Sequence, residues 1–231
     1  MTEPSSGPKR IRRGLVVGKF SPLHSGHQLL IERALADCNE VLVISYSVPE
    51  FPRCEASVRE CWLAKLFPQT RRLVIDAVRL AVICAERALT PRDIPHNDAP
   101  DDMHRRFCAW ICHDILHFHP DAIFTSEDYG DGFAAVFSEC LSVATGTPRT
   151  VVHVCVDPKR STEPVSGSML RTNPHANREF LPPTVYSDFV ERFCLLGAES
   201  TGKTTLAEAL AIAYGTAWVP EYGRKRWIEK D

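Results

Sequence analysis

The sequence predicts an α/β protein: a parallel sheet flanked by helices, then the beginning of a second α/β unit. Two observations predict it. Short apolar runs alternate with longer segments of helical period: LVVG (15–18), VLVIS (41–45), RLVID (72–76), DAIFTS (121–126), VVHVCV (151–156) and FCLLG (193–197). Parallel strands need such helical crossovers to return to the same end of a sheet. The first and last runs also lead straight into loops suited to phosphate, GKFSPLHSGH (18–27) and GAESTGKT (197–204), each followed by a helix.

Taken in order, residues 1–13 hold Pro, Ser, Gly and a basic cluster (Lys9, Arg10, Arg12, Arg13). They read as a solvated tail, and a nucleic-acid role for the cluster is the weaker alternative. After the first run, Leu29, Leu30, Ile31, Ala34 and Leu35 fall at spacings that make one apolar helix face. Similar helices are expected at 55–67, 78–89, 102–118 and 130–144. The stretch 172–190 is rich in Pro and polar residues and suits a linker or a pair of short helices. The expected division is therefore a tail at 1–13, a first domain at 14–190 and the N-terminal part of another at 191–231.

Composition narrows the class. A hydrophobic fraction of 44% with 24% charged residues allows a packed core, and a net charge of −2 gives no global reason to expect nucleic acid or an anionic membrane. No apolar run approaches the ~18–20 residues of a membrane span, and the start lacks the apolar stretch of a signal peptide. Nine cysteines without regular spacing fit a reducing compartment better than a disulfide framework. The expectation is a cytoplasmic protein, with a homo-oligomer left open.

GKFSPLHSGH would occupy the carboxyl end of a strand, where ligands bind in parallel sheets. His24 and His27 flank Gly26 at a helix start, Lys19 lies upstream, and pre-helical N–H groups add to a cradle for polyphosphate. A surface loop that happens to hold two histidines is the alternative. The second element is VSGSMLR (165–171), in which Ser166, Gly167 and Ser168 suit a helix N-terminus and Arg171 follows one turn later.

Together the two elements resemble the nucleotidyltransferase signature that pairs H-x-G-H on the first strand with S-[ST]-[ST]-x-x-R on a late helix. With GLVVGKFSPLHSGHQLLIERA, DIPHNDAPDDMHRRF and FTSEDYG, the chain resembles the adenylyltransferase domain of NadR-type bifunctional proteins. In that family a ribosylnicotinamide kinase domain follows. The resemblance covers about residues 14–231. It implies a Rossmann-like nucleotidyltransferase domain, the start of a P-loop kinase domain, and ATP and nicotinamide mononucleotide as substrates, giving NAD and pyrophosphate. His24, His27, Lys19 and Arg171 would act at the transferred group, and Gly18, Phe20, Gly26, Ser166, Gly167 and Ser168 would hold ATP, with Mg²⁺ bridging its oxygens.

Gly167 departs from the pattern, where a hydroxyl residue often stands. Asn97 and Asp98 could reach the nicotinamide or ribose, or could be turn formers. Arg59 could contact a phosphate or serve as surface charge on a first helical turn.

His104, Cys108 and Cys112, with His113 and His117, stand one helical turn apart; an apolar face with polar flanks is the better reading than zinc. Glu127, Asp128 and Asp131 lack calcium-loop spacing, and by resemblance FTSEDYGDGF is a substrate-facing loop and helix cap.

In the second motif Gly197, Glu199, Ser200, Thr201, Gly202, Lys203, Thr204 and Thr205 form a P-loop between a strand-like run and a helix. Its N–H groups would cradle phosphates, Lys203 would reach the β- and γ-phosphates and Thr204 would hold Mg²⁺. AWVPEYGRKRW reads as a second strand, and by resemblance Glu221 and Tyr222 would approach the nucleoside. The acidic Mg²⁺ partner, lid arginines and further strands of a kinase do not occur within 231 residues, so kinase activity is not expected. Nor does the first strand, near residue 14, leave room for a helix-turn-helix ahead of it. Two alternatives stay open: another phosphate acceptor such as phosphopantetheine, and a regulatory module that binds nucleotide without turnover.

Overall fold

Five parallel strands in the order β3-β2-β1-β4-β5 make the sheet: β1 (Ile11–Val17), β2 (Cys38–Ser45), β3 (Arg71–Val74), β4 (Ala122–Thr125) and β5 (Val152–Cys155). The computed structural model describes residues 11–126, 129–157, 159 and 162–220. Within it the chain divides into two compact units, Met1–Phe189 and Val190–Asp231.

Period-two alternation along the strands builds the first unit. Val16, Val43, Val74 and Phe124 face one way, against α1 (Ser25–Asp37), α2 (Ala56–Leu66), α6 (Gly167–Thr172) and α7 (Pro183–Tyr186). Leu15, Leu42, Leu73 and Ile123 face the other, against α3 (Ala77–Glu86), α4 (Asp101–Trp110) and α5 (Gly130–Thr145). Both faces are covered, and the carboxyl-terminal halves of β1 and β2 are accordingly apolar. Full burial of a Leu, Ile or Phe contributes about 1.5–3 kcal/mol, so these two layers hold the site rigidly.

Helix ends follow local chemistry. Asp76 caps α3 by accepting from the Arg79 N–H at 2.8 Å, and α5 stops at Gly146, whose φ of 66° is left-handed. α4 runs on into a π-helical turn, Ile111–Ile115, where the sequence pattern predicts continuous helix. Near the end of the unit the Trp62 indole donates to Asp188 at 2.6 Å and stacks on Phe189.

The first strand begins at Ile11, not at residue 14. Arg13 explains the extension: its backbone N–H donates to Asp121 at 3.0 Å and its side chain pairs with Glu40 at 3.1 Å, so residues read as tail are held in the sheet. FCLLG, expected as a strand, is not one. A strand needs a partner for its backbone groups, and the second unit has no other strand among its described residues. Phe193 and Leu196 are accordingly 88% and 87% exposed. The second unit's helix is α8 (Lys203–Tyr214).

Candidate functional site

The strand order reverses between β1 and β4, and a cavity of about 430 Å³ opens there at the carboxyl ends of the strands. The loop after β1 shapes one wall. The Gly18 N–H donates to Ile44 O at 3.1 Å, tying the loop to β2. The Lys19 carbonyl accepts from Ser21 Oγ at 3.0 Å, Ser45 Oγ at 3.1 Å and Arg59 Nη1 at 3.2 Å. Phe20 then turns with a φ of 48°, and its buried ring meets His27 edge-on.

The chain enters α1 through a histidine version of the capping box. His24 is the extended N-cap residue, and its N–H is accepted by His27 Nδ1 at 3.3 Å. The imidazoles stack with centroids 3.7 Å apart. The H-x-G-H spacing thus places both rings at the positive end of one helix, on the cavity wall.

α6 supplies the opposite wall. Ser166 caps it by accepting from the Met169 N–H, and Arg171 Nη2 donates to Ser168 Oγ at 3.0 Å. Arg171 also donates to the Ser21 carbonyl across 150 residues of sequence and lies over Phe51, 4.1 Å from the ring centre. A Cβ at Gly167 would stand 2.9 Å from Arg171 Nη1. The departure at Gly167 therefore leaves the guanidinium its place.

Gly18, Lys19, Phe20, His24, Gly26, His27, Ser166, Gly167, Ser168 and Arg171 all border this cavity. Burial, then the positive charge of Arg171, pushes the Lys19 ammonium below its ordinary pKa, while Asp98 opposes the shift. Burial likewise lowers Arg171.

A second cavity, about 240 Å³, shares Val17, Gly18, Lys19 and Tyr129 with the first. Tyr46, Phe133 and His104 give it aromatic walls, and Asp101 and Arg105 form a pair at 2.9 Å on its border. Tyr46 and His104 share a hydrogen bond of 2.9 Å. Burial, followed by the charge of Lys19, lowers the His104 pKa and keeps the imidazole neutral near pH 7.

The three remaining expected contacts differ in where they lie. Arg59 is fully buried behind the Lys19 carbonyl and borders neither cavity, so it is not surface charge. Asn97 borders the smaller cavity, but its amide is spent on the turn after β2, donating to Pro49 O at 2.8 Å and bonding Ser47 at 3.2 Å. Its carbonyl accepts from Lys19 Nζ at 3.3 Å. The Asp98 carboxylate is 89% exposed and borders neither cavity.

Glu127, Asp128, Glu221 and Tyr222 lie outside the described residues. His104 faces the small cavity, whereas Cys108 and Cys112 are buried, with burial pushing the Cys108 thiol up to about 12. Among the described residues no three His, Cys, Asp or Glu side chains converge as a ligand set.

Sequence reasoning took FTSEDYGDGF as a substrate-facing loop without singling out Thr125, Ser126 or Tyr129, which border the large cavity. Phe133 ends that same stretch, Asp101 and Arg105 lie in DIPHNDAPDDMHRRF without being singled out, and Tyr46 falls in no motif. Position at the carboxyl ends of β2 and β4 was the signal for Tyr46 and Thr125. Thr125 also bonds His153 at 2.8 Å, which bonds Asp131 at 2.9 Å.

In the second unit the P-loop turns through left-handed residues, Ser200 (φ 58°) and Gly202 (φ 77°), into α8. Lys203 Nζ donates to its own loop's Ala198 carbonyl, and Thr201 Oγ1 reaches the same oxygen at 2.8 Å. Glu199, Ser200, Thr201 and Gly202 are exposed, Gly197, Lys203 and Thr204 run along the same turn, and Thr205 follows within the first turn of α8.

Fold and site define a parallel α/β nucleotide-binding architecture with a P-loop segment after it. A family model described as AAA domain matches residues 192–231. The chain is 32% identical over 225 residues to the Trifunctional NAD biosynthesis/regulator protein NadR of Escherichia coli (strain K12), covering 91% of this chain and 48% of that protein. To the protein of the same name from Salmonella typhimurium (strain LT2) it is 31% identical over 232 residues, covering 94% and 50%. Along most of its length, then, the chain is a homologue of the NadR proteins. It spans about half the length of these curated relatives.

Two solved structures share the fold. A crystal structure of NadR protein in complex with NR superimposes with a TM-score of 0.59 at 20% identity, over 93% of this chain and 55% of that one. Another, in complex with NAD and AMP-PNP, gives 0.57 at 20% identity, over 93% and 57%. Among the described residues no helix is long and apolar enough to cross a membrane.

Proposed function

We propose that the first unit is a nucleotidyltransferase that moves the adenylyl group of ATP to nicotinamide mononucleotide, giving NAD and pyrophosphate. The observation that carries it is the pair of cavities meeting at Lys19, the larger ringed by His24, His27, Ser166, Ser168 and Arg171. NAD biosynthesis in the name of the two bacterial relatives supports the acceptor.

The step is an in-line displacement. A phosphate oxygen of the mononucleotide forms a bond to the α-phosphorus of ATP as the bond to the β-phosphate bridging oxygen breaks. Two anions must approach, so the residues position and neutralise; none need form a covalent bond. His24 and His27 donate to the transferred group at the α1 N-terminus. Arg171, Ser166 and Ser168 hold the departing pyrophosphate. Lys19, common to both cavities, offsets charge between donor and acceptor.

The donors of the larger cavity are cationic or neutral, and its two carboxylates are engaged: Asp157 accepts from the Thr162 and Glu163 N–H groups at 2.9 and 3.2 Å, and Glu163 accepts from Ser25 Oγ. That set suits Mg²⁺ carried on the phosphates of ATP, where it would withdraw charge from the leaving group, better than a protein carboxylate cage. In the P-loop the Thr204 hydroxyl, at the start of α8, would be its ligand.

The boundary is proposed near residue 190, with 191–231 opening a ribosylnicotinamide kinase-like domain whose nucleoside contact would be Glu221. All nine cysteines are free thiols, which suits a reducing cytoplasmic setting. The purified chain, given ATP with nicotinamide mononucleotide or with phosphopantetheine, is expected to release pyrophosphate with the former. Release with phosphopantetheine alone overturns the nicotinamide assignment. Binding of ATP with no release from any acceptor makes the chain a sensor.

A further inference from the structure

We propose that Arg59, buried and paired with Glu50, is a positioning residue: it locks the Lys19–Phe20 peptide so that the Phe20 N–H is presented to a nucleotide phosphate in the larger cavity. The inference rests on the reading of that cavity as a nucleotide phosphate site, and adds a residue from α2 that never touches the ligand.

The hydrogen-bond pattern carries it. Arg59 Nη1 donates to Lys19 O at 3.2 Å and to Ser45 Oγ at 2.6 Å, while Nη2 donates to Glu50 at 2.6 Å. Ser45 and Ser21 add their own hydroxyl donors to the same carbonyl. One peptide oxygen is thus gripped from the loop itself, from the end of β2 and from α2, and one of the donors is ionised.

A trans peptide sets its N–H opposite its C=O. Of the donors to the Lys19 oxygen, Ser21 borders the larger cavity but Arg59 and Ser45 border neither, and the Phe20 N–H is turned away from these two. Phe20 itself borders the larger cavity, and among the described residues its N–H has no hydrogen-bond partner. The φ of 48° at Phe20 is a conformation that a bulky residue keeps only where its surroundings impose it. The grip on Lys19 O and the buried ring supply that constraint.

Stability is a poor explanation for the ion pair. Burial depresses the Arg59 guanidinium and raises the Glu50 carboxyl, each against the opposing pull of its partner. Charges desolvated in this way contribute little net stability, and apolar side chains of similar size often replace them without loss. Arg59 Nε and Glu50 Oε2 lack partners among the described residues, so the guanidinium sits where the carbonyl needs it, with its own bonding incomplete.

The test uses the full chain carrying Lys203→Ala, so that the P-loop adds little to nucleotide binding. MgATP and adenosine affinities, kcat and KM are compared for the parent, Arg59→Met, Arg59→Lys and a chain with phenyllactate at position 20, which replaces only the N–H by an ester oxygen. Arg59→Met and the ester should each weaken MgATP by about tenfold or more and lower kcat by about a hundredfold, with adenosine affinity held within about twofold. Arg59→Lys should recover part of the loss. Equal weakening of ATP and adenosine, or parental ATP affinity in the ester chain, overturns the proposal. If Arg59→Met does not fold, the lysine variant and the ester decide. A parent chain that binds ATP yet forms no NAD refutes the transferase reading, while the ATP-against-adenosine comparison still judges Arg59.

Discussion

The two phosphate motifs of this chain differ in what holds them. The one at residues 18–27 is met by groups from β2, α2 and α6, up to 150 residues away, and its lysine, imidazoles and arginine border one cavity. The P-loop at 197–204 keeps its turn and its helix, but its lysine bonds its own loop carbonyl. The lesson is that a motif encodes a local turn, whereas a site is made by the long-range contacts that aim side chains at a common point.

His27→Ala breaks this comparison most forcefully. Pyrophosphate release should fall by about 10²–10³, the scale on which a lost transition-state donor acts. Lys203→Ala should instead weaken nucleotide binding at the P-loop. Equal losses of turnover in the two variants would mean that the second motif takes part in the same reaction.

Packing contrasts come next. A Cβ at Gly130 would meet the His153 ring at 2.0 Å, so Gly130→Ala should cost about 1–3 kcal/mol and lower Tm by several degrees. Ile212, 76% exposed on α8, should tolerate Ile212→Ala within about 0.5 kcal/mol. Thermal melts of both variants test whether the first unit alone carries the tight core. A finer probe is Gly167→Ala, whose new methyl presses on the flexible end of Arg171. Tm should hardly move, but KM for ATP should rise by about tenfold as the guanidinium shifts, since one such arginine contact is worth roughly 1.5–3 kcal/mol.

The smallest effect concerns pH. Lys19 has a folded pKa below the ordinary lysine value of 10.5, chiefly through burial. In the window between the two values the unfolded chain binds more protons, so this group makes stability rise with pH there. ATP affinity should move the other way, weakening by less than about tenfold as the ammonium is lost. Binding titrations beside melts across the alkaline range would show whether the trends oppose.

Much of the fold was legible because it rests on local periodicity. The strands of the first unit and most of its helices fall where apolar spacing places them, since each element must bury one face whatever its neighbours. FCLLG failed for the complementary reason: its composition is that of a strand, but strand formation is a property of pairs. Residues 11–13 were misread because their place depends on Glu40 and Asp121. The histidines and the α6 serines lie where short helix-start spacings place them, on the wall of one cavity. Of Arg59, Asn97 and Asp98, only Asn97 borders a cavity. An arginine on a first helical turn has the same sequence signature whether it meets ligand, water or a buried carbonyl, and only the packing of α2 against the β1 loop distinguishes these.

The shared wall of Val17, Gly18, Lys19 and Tyr129 has a consequence of its own. Two compartments that meet at one lysine act as a ruler. A compound whose two halves are joined by a linker of the right length fills both at the entropic cost of one molecule, and its affinity exceeds that of either half alone. One phosphate too few or too many should forfeit that gain, so a series of joined ligands that differ only in phosphate number would measure the span across Lys19 directly.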